Sequence, residues 1–126
     1  MEKKIIKSRS YRDLKAWQLA IEVAKEIYRL TGKFPPSENY GLTSQIRRAA
    51  VSIPSNIAEG QGRTSAKEFK QFLSIALGSI AELETQIIIA TEIGYTNAQE
   101  VNGILDNLDN IRKMVKALAQ SLMKSN

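Results

Sequence analysis

The chain has 126 residues, enough for one domain with a real core and too few for two. Hydrophobic residues make up 43% and charged residues 25%, an ordinary globular balance, and the net charge of +5 permits a polyanionic partner without proving one. Cysteine and histidine are both absent, which excludes disulfides, thiolate zinc sites and cysteine nucleophiles and removes the commonest general base and metal ligand.

Residues 1–10, MEKKIIKSRS, read as a basic arm. Ile5 and Ile6 are its only apolar run, too short for a signal-peptide core, and no later stretch is expected to reach membrane-spanning length. A cytoplasmic location is the expectation. From residue 11 to 124 the periodicity is helical throughout. The spacing predicts a first helix over 12–31 with Leu14, Trp17, Ile21, Ala24 and Tyr28 inward, ended by Gly32 and the Pro35-Pro36 pair. A second is predicted over 40–60, with Leu42, Ile46, Ala49, Ile53 and Ile57 inward. The third opens at a capping box, Ser65-x-x-Glu68, and runs through Phe69, Phe72, Leu73, Ala76, Ile80, Leu83, Ile87 and Ala90 to about residue 93. Another box, Thr96-x-x-Gln99, opens the fourth, whose 3-4 row is Val101, Ile104, Leu108, Ile111, Val115, Leu118 and Leu122. Short loops between long helices force antiparallel neighbours, so the fold class is all-α, an up-down-up-down four-helix bundle.

Helix 1 carries more apolar surface than one core needs. Its polar residues occupy an arc of only about 100°, leaving Leu19, Val23 and Leu30 as a second stripe. On helix 3, Ile75, Ile89 and Ile93 lie off the core face beside Gly78. These six residues are the expected oligomer interface.

Antiparallel topology also turns sequence position into an end of the bundle. The start of helix 1, the 2–3 loop and the end of helix 4 collect thirteen cations against four anions, leaving five against nine elsewhere. Arg12, Lys15, Arg63, Lys67, Lys70, Arg112, Lys113 and Lys116 are the candidate nucleic-acid-binding residues, with the arm from Lys3 to Arg12 adding reach. Cations near the C-terminus of helix 4 suit its dipole, whereas Lys67 and Lys70 sit at a helix N-terminus, where the dipole favours anions. Backbone phosphate would be the natural ligand, bound without base readout.

Residues 47–63, RRAAVSIPSNIAEGQGR, break helical rules. Pro54 should kink helix 2 by removing a hydrogen bond to Ala50, and Ser52 or Ser55 could cap the freed carbonyl. Asn56 falls on the inner face, where its amide is expected to bond a neighbouring helix's backbone. Glu59 is placed to pair with Arg63 or Arg48. Gly60 and Gly62 permit the left-handed conformations that end a helix.

YRDLKAWQLA, YGLTSQIRRAAVSIPSNIAEGQGR and FLSIALGSIAELETQI, in that order, resemble the 23S rRNA intervening-sequence protein family of bacteria, also called four helix bundle proteins. The resemblance spans about residues 11–118. It implies a four-helix bundle assembled as a pentameric barrel, and it supplies no catalytic residue; Ser52, Pro54, Asn56, Glu59, Gly60 and Arg63 match the family's signature and read as structural. In architecture and charge the chain is also distantly similar to the accessory variability protein of diversity-generating retroelements, a basic pentamer.

The leading expectation is therefore a non-enzymatic homo-oligomer that engages RNA or another nucleic acid through its basic end, as an adaptor or chaperone. The alternative is a structural or protein-interaction module with no nucleic-acid ligand. An enzyme is disfavoured: a di-iron bundle needs Glu-x-x-His pairs, and Glu82 and Glu84 point about 200° apart on their helix. No cofactor or metal is expected, and the partners expected are other copies of the chain, nucleic acid and, under the alternative, another protein, with no membrane.

Overall fold

Ser10 opens the described part of the chain, residues 10–124 of the computed structural model, and its side chain caps a 3-10 turn at Tyr11–Asp13 by accepting from the Arg12 amide. The expected basic arm thus lies, Ser10 apart, outside the described residues. Leu14 is extended, so the first α-helix begins at Lys15 rather than residue 12. The helices are α1 (Lys15–Thr31), α2 (Leu42–Gln61), α3 (Ala66–Glu92) and α4 (Ala98–Lys124). A second 3-10 turn, Pro36–Glu38, lies between α1 and α2. Among the described residues there is no strand.

Local chemistry explains the ends. Ser65 Oγ accepts from the Glu68 amide at 3.1 Å, as its capping box predicts. The cap of α4 sits one residue later than expected: Asn97 Oδ1 accepts from the Glu100 amide at 3.0 Å, while Thr96 Oγ1 donates to the Glu100 carboxylate at 2.7 Å. Gly94, at φ +89°, turns the chain out of α3.

Each helix packs on its two ring neighbours, most extensively α2 on α3, with none across the diagonal among the described residues. At 27 residues each, α3 and α4 outreach the 17 of α1 and the 20 of α2. The α1–α2 connection fills the difference. Phe34 packs on Tyr95 with ring centroids 5.4 Å apart, Tyr95 donates its hydroxyl to Glu38 at 2.8 Å, and Lys33 pairs with Glu100 at 2.6 Å. These contacts place the α1–α2 and α3–α4 turns at one end of a four-helix bundle.

The core rows of α2, α3 and α4 are those predicted, with Ile46, Ile53, Ile57, Leu73, Ile80, Leu83, Ile87, Leu108, Ile111 and Val115 fully buried. Leu42, Phe69, Leu118 and Leu122, also expected inward, are only partly buried against that core, and Phe72 is half-buried. On α1 the two apolar stripes exchange roles. Ala16, Ala20, Val23, Ile27 and Leu30 are buried, and Leu19 packs partly against them. Val23 and Leu30 are therefore core, and none of the three α1 residues expected at an oligomer interface lies exposed. Tyr28, expected inward, is 47% exposed, and Trp17, Ile21 and Ala24 are half-buried. The alanines explain the exchange: they let α1 approach both neighbours, which a row bearing Trp17 and Tyr28 would hold apart. The excess apolar surface is real but lies on the aromatic stripe.

By length and composition α3 would suffice to cross a membrane, with a mean hydropathy of 1.5, contrary to the expectation that no segment approaches this. Its inward row from Leu73 to Ala90 is the core of the bundle.

Candidate functional site

Residues 47–63 form most of α2, and the structure accounts for its exceptions one by one. The helix runs unbroken through the buried Pro54. Ser52 does not cap the Ala50 carbonyl; its hydroxyl meets Ser79 Oγ of α3 at 2.7 Å. Asn56 does not reach a neighbouring helix either. It donates from Nδ2 to the Ser52 carbonyl at 2.8 Å and to Ser52 Oγ at 2.9 Å, so it orients the serine that makes the crossing. Glu59 pairs with Arg63 at 2.7 Å, not with Arg48. Gly60 is helical and Gly62 has φ −79°, so neither adopts the left-handed conformation. Gly60 is needed for space instead: a Cβ there would lie 2.8 Å from Phe72 Cβ and 2.9 Å from Phe69 Cδ1.

The expected basic surface divides. Arg63 leaves α2 stacked on Phe72, 4.7 Å from the ring centroid, while holding Glu59. Lys67 and Lys70, on the first turns of α3, have no carboxylate partner among the described residues. Tyr11 shares a groove with Pro54, Ser55 and Ala58, which brings Arg12 to the same end, with its guanidinium 5.9 Å from the Tyr11 ring. Lys15 lies beside Met114 and Leu118, the stretch of α4 that carries the exposed Lys116.

Arg112 and Lys113 do not join them. They sit midway along α4, and Arg112 bridges to Glu84 of α3 and to Asp109 at 2.8 Å. Bonding to Glu84 holds its guanidinium above the ordinary arginine range, outweighing the opposing effect of burial. Lys113 pairs with Asp109 at 3.3 Å. Assigning cations to ends by order in the chain overlooked how far α4 runs: Arg112 lies about 20 Å along it at the usual helical rise. What remains at the basic end is Arg12, Lys15, Arg63, Lys67, Lys70 and Lys116.

Two apolar features lie on different sides of the bundle. One is the outer groove between α1 and α2, lined by Trp17, Ile21, Ala24, Val51 and Pro54. The other is on α3 and its C-cap, where Ile75, Ile89 and Ile93 are 50%, 44% and 54% exposed. The sequence reading missed Val51, although an apolar residue three before Pro54 and off the core row was a usable signal. It also missed a polar hollow near the start of α2, formed by Arg47 and Arg48 with Tyr28. Its signal was two adjacent arginines with no acidic residue three or four positions away in either direction. Among the described residues no group of three or more acidic side chains could hold a metal ion.

A crystal structure of a protein of unknown function from the S23 ribosomal protein family of Bacteroides thetaiotaomicron superposes with a TM-score of 0.74. It is 22% identical, the match covering 82% of this chain and 97% of that one, and it supports the fold alone. No curated protein matches. The family model described as 23S rRNA-intervening sequence protein matches residues 12–117, which include all of α1, α2 and α3 and most of α4. The chain belongs to the 23S rRNA-intervening sequence protein family.

Proposed function

We propose that this protein is a non-enzymatic, self-assembling helical bundle whose basic end binds RNA backbone, acting as an adaptor or chaperone. The observation that carries the reading is the placement of Lys67 and Lys70. They stand at a helix N-terminus that disfavours cations and have no carboxylate partner among the described residues, so an external polyanion accounts for them better than folding does. The family's link to 23S rRNA intervening sequences supports the choice of RNA.

Self-association is supported by the two unlike apolar faces. A face that pairs with itself gives a two-fold dimer, whereas two different faces that meet head to tail give a ring when the rotation closes. The α1–α2 groove of one copy against the α3 isoleucines of the next is such a pair, and a pentamer is the ring implied by family resemblance. Aligned bundles would merge their basic ends into one annulus. The groove, lined by the half-buried Trp17 and the exposed Val51, is also what a protein partner would use if the chain were an interaction module.

The test is binding of a fluorescent single-stranded RNA across a salt series, with light scattering before and after nuclease treatment. Affinity should fall steeply with salt, the log–log slope losing about 0.7 for each phosphate contact removed. Lys67→Glu with Lys70→Glu should flatten that slope without dissolving the assembly. Salt-independent binding, or binding indifferent to that charge reversal, would refute the RNA reading.

A further inference from the structure

The two arginines at the head of the 47–63 stretch are used neither by the core nor by the basic end. We propose that the hollow they line near the start of α2 is a binding site for a phosphate group. It has a volume of ≈ 370 Å³ and is lined by Tyr28, Asn39, Thr43, Ser44, Arg47 and Arg48. No carboxylate lines it, and neither arginine has an ion-pair partner among the described residues.

Arg47 is held in place before any ligand arrives. Its Nε donates to Thr31 Oγ1 at 2.8 Å, a terminal nitrogen donates to the Tyr28 carbonyl at 3.4 Å, and its guanidinium lies 4.6 Å from the Tyr28 ring centroid. A guanidinium has five N–H donors, so most of its capacity stays open. Arg48 is exposed and free to close on a ligand.

The helix start adds backbone donors. Glu38 accepts from the Leu42 amide and the Gly41 carbonyl accepts from the Gln45 amide, leaving the Thr43 and Ser44 amides without a partner among the described residues. Beside those amides, Thr43 is 3% exposed and its hydroxyl is buried with no partner among the described residues. Buried hydroxyls are normally satisfied, and this one belongs to a residue lining the hollow. Two guanidinium groups, two amides, hydroxyls and the Asn39 amide form a donor-rich set suited to a tetrahedral oxyanion with several acceptor oxygens. The phosphate could belong to a free nucleotide or to the 5′ end of an RNA.

This site is at the end of the bundle away from Lys67 and Lys70, so it stands or falls apart from the basic-end reading. Inorganic phosphate is titrated into the isotopically labelled full-length protein at constant ionic strength, with amide shifts followed by NMR. The expected result is saturable movement of the Thr43 and Ser44 amides. Arg48→Gln and Arg47→Lys should each weaken it about fivefold or more, the scale of losing a charge-assisted hydrogen bond. Lys67→Gln with Lys70→Gln should leave it unchanged. Parallel titrations with a nucleoside monophosphate and with a short RNA, with and without its 5′ phosphate, distinguish the source: preference for the phosphorylated RNA assigns a terminal phosphate, preference for the nucleotide a small molecule. Shifts that do not saturate, that spread evenly over surface cations, or that survive Arg48→Gln would overturn the proposal.

Discussion

Replacing Gly60 by alanine separates close helix packing from helix termination. A Cβ at this position would lie 2.8 Å from Phe72 Cβ, 2.9 Å from Phe69 Cδ1 and 3.2 Å from the Phe69 carbonyl oxygen. The Phe69 ring can shift, but the Phe72 Cβ and the Phe69 carbonyl are fixed to the α3 backbone. The two helices must therefore part where the bundle packs most extensively. Overpacking of this kind costs about 1–3 kcal/mol, and two backbone-fixed contacts put it toward the upper part of that range. Against it stands a helix-propensity gain of about 1 kcal/mol for alanine over glycine. The net expectation is a loss of about 1–2 kcal/mol, or roughly 4–8 °C in Tm. Gly103, inside α4, is the control: a Cβ there meets nothing within 4 Å, so Gly103→Ala should stabilise by about 0.5–1 kcal/mol. Urea unfolding followed by circular dichroism, at fixed protein concentration because assembly contributes to apparent stability, reads both signs. A Gly60→Ala protein as stable as Gly103→Ala would refute the close approach of α2 and α3.

The buried row of α1 and the exposed face of α3 make a paired prediction: Val23→Asp should cost about 3 kcal/mol or more by burying an unpaired charge, while Ile89→Asp should keep protomer stability within about 0.5 kcal/mol. Light scattering should show Ile89→Asp shifted toward the protomer mass; an unchanged assembly would remove the α3 face from the interface. The Leu42 amide, and after it the Tyr95 hydroxyl, holds the Glu38 carboxyl below the ordinary carboxylate range. Its stabilising effect is then complete above the unfolded-state glutamate pKa and is lost as pH falls through the lower folded value. Bonding to Glu38, followed by burial, raises the Tyr95 phenol, so that contribution is present below the unfolded tyrosine pKa and lost as pH rises through the folded one. Glu38→Gln should flatten both limbs of a stability–pH profile, and an unaltered profile would count against the pair. Arg112→Met should lower stability by about 1 kcal/mol through loss of the Glu84 and Asp109 bridges while leaving RNA affinity unchanged; weakened RNA binding would return Arg112 to the basic surface.

The bundle was legible because helical periodicity and capping chemistry are local signals. α3 and its Ser65 cap follow directly from the pattern, and α4 from its 3-4 row. The two faces of α1 were not legible, because both stripes have the same period and only the neighbouring helices decide which turns inward. The wheel favoured the bulkier row, whereas packing selected the row with Ala16 and Ala20. The site was readable only in part. Lys67 and Lys70 were placed correctly by topology, but Arg112 was not, since its ion pair with Glu84 joins residues 28 apart in the chain. The hollow at Arg47 depends on Tyr28 from α1 and Asn39 from the connection, a meeting that no sequence spacing encodes.

The pairing of the cations sorts structural charge from available charge. Lys25, Lys33, Arg63, Arg112 and Lys113 each have a carboxylate within reach, and Arg29 lies in the last turn of α1, where the helix dipole favours it. These charges need no explanation outside the protomer. Lys67 and Lys70 are different, because they stand near the N-terminus of α3 with no ion-pair partner among the described residues. Arg47 and Arg48 are different too: they line a hollow that holds no carboxylate and have no ion-pair partner among the described residues. The two places lie at opposite ends of the bundle, too far apart for one phosphate to serve both.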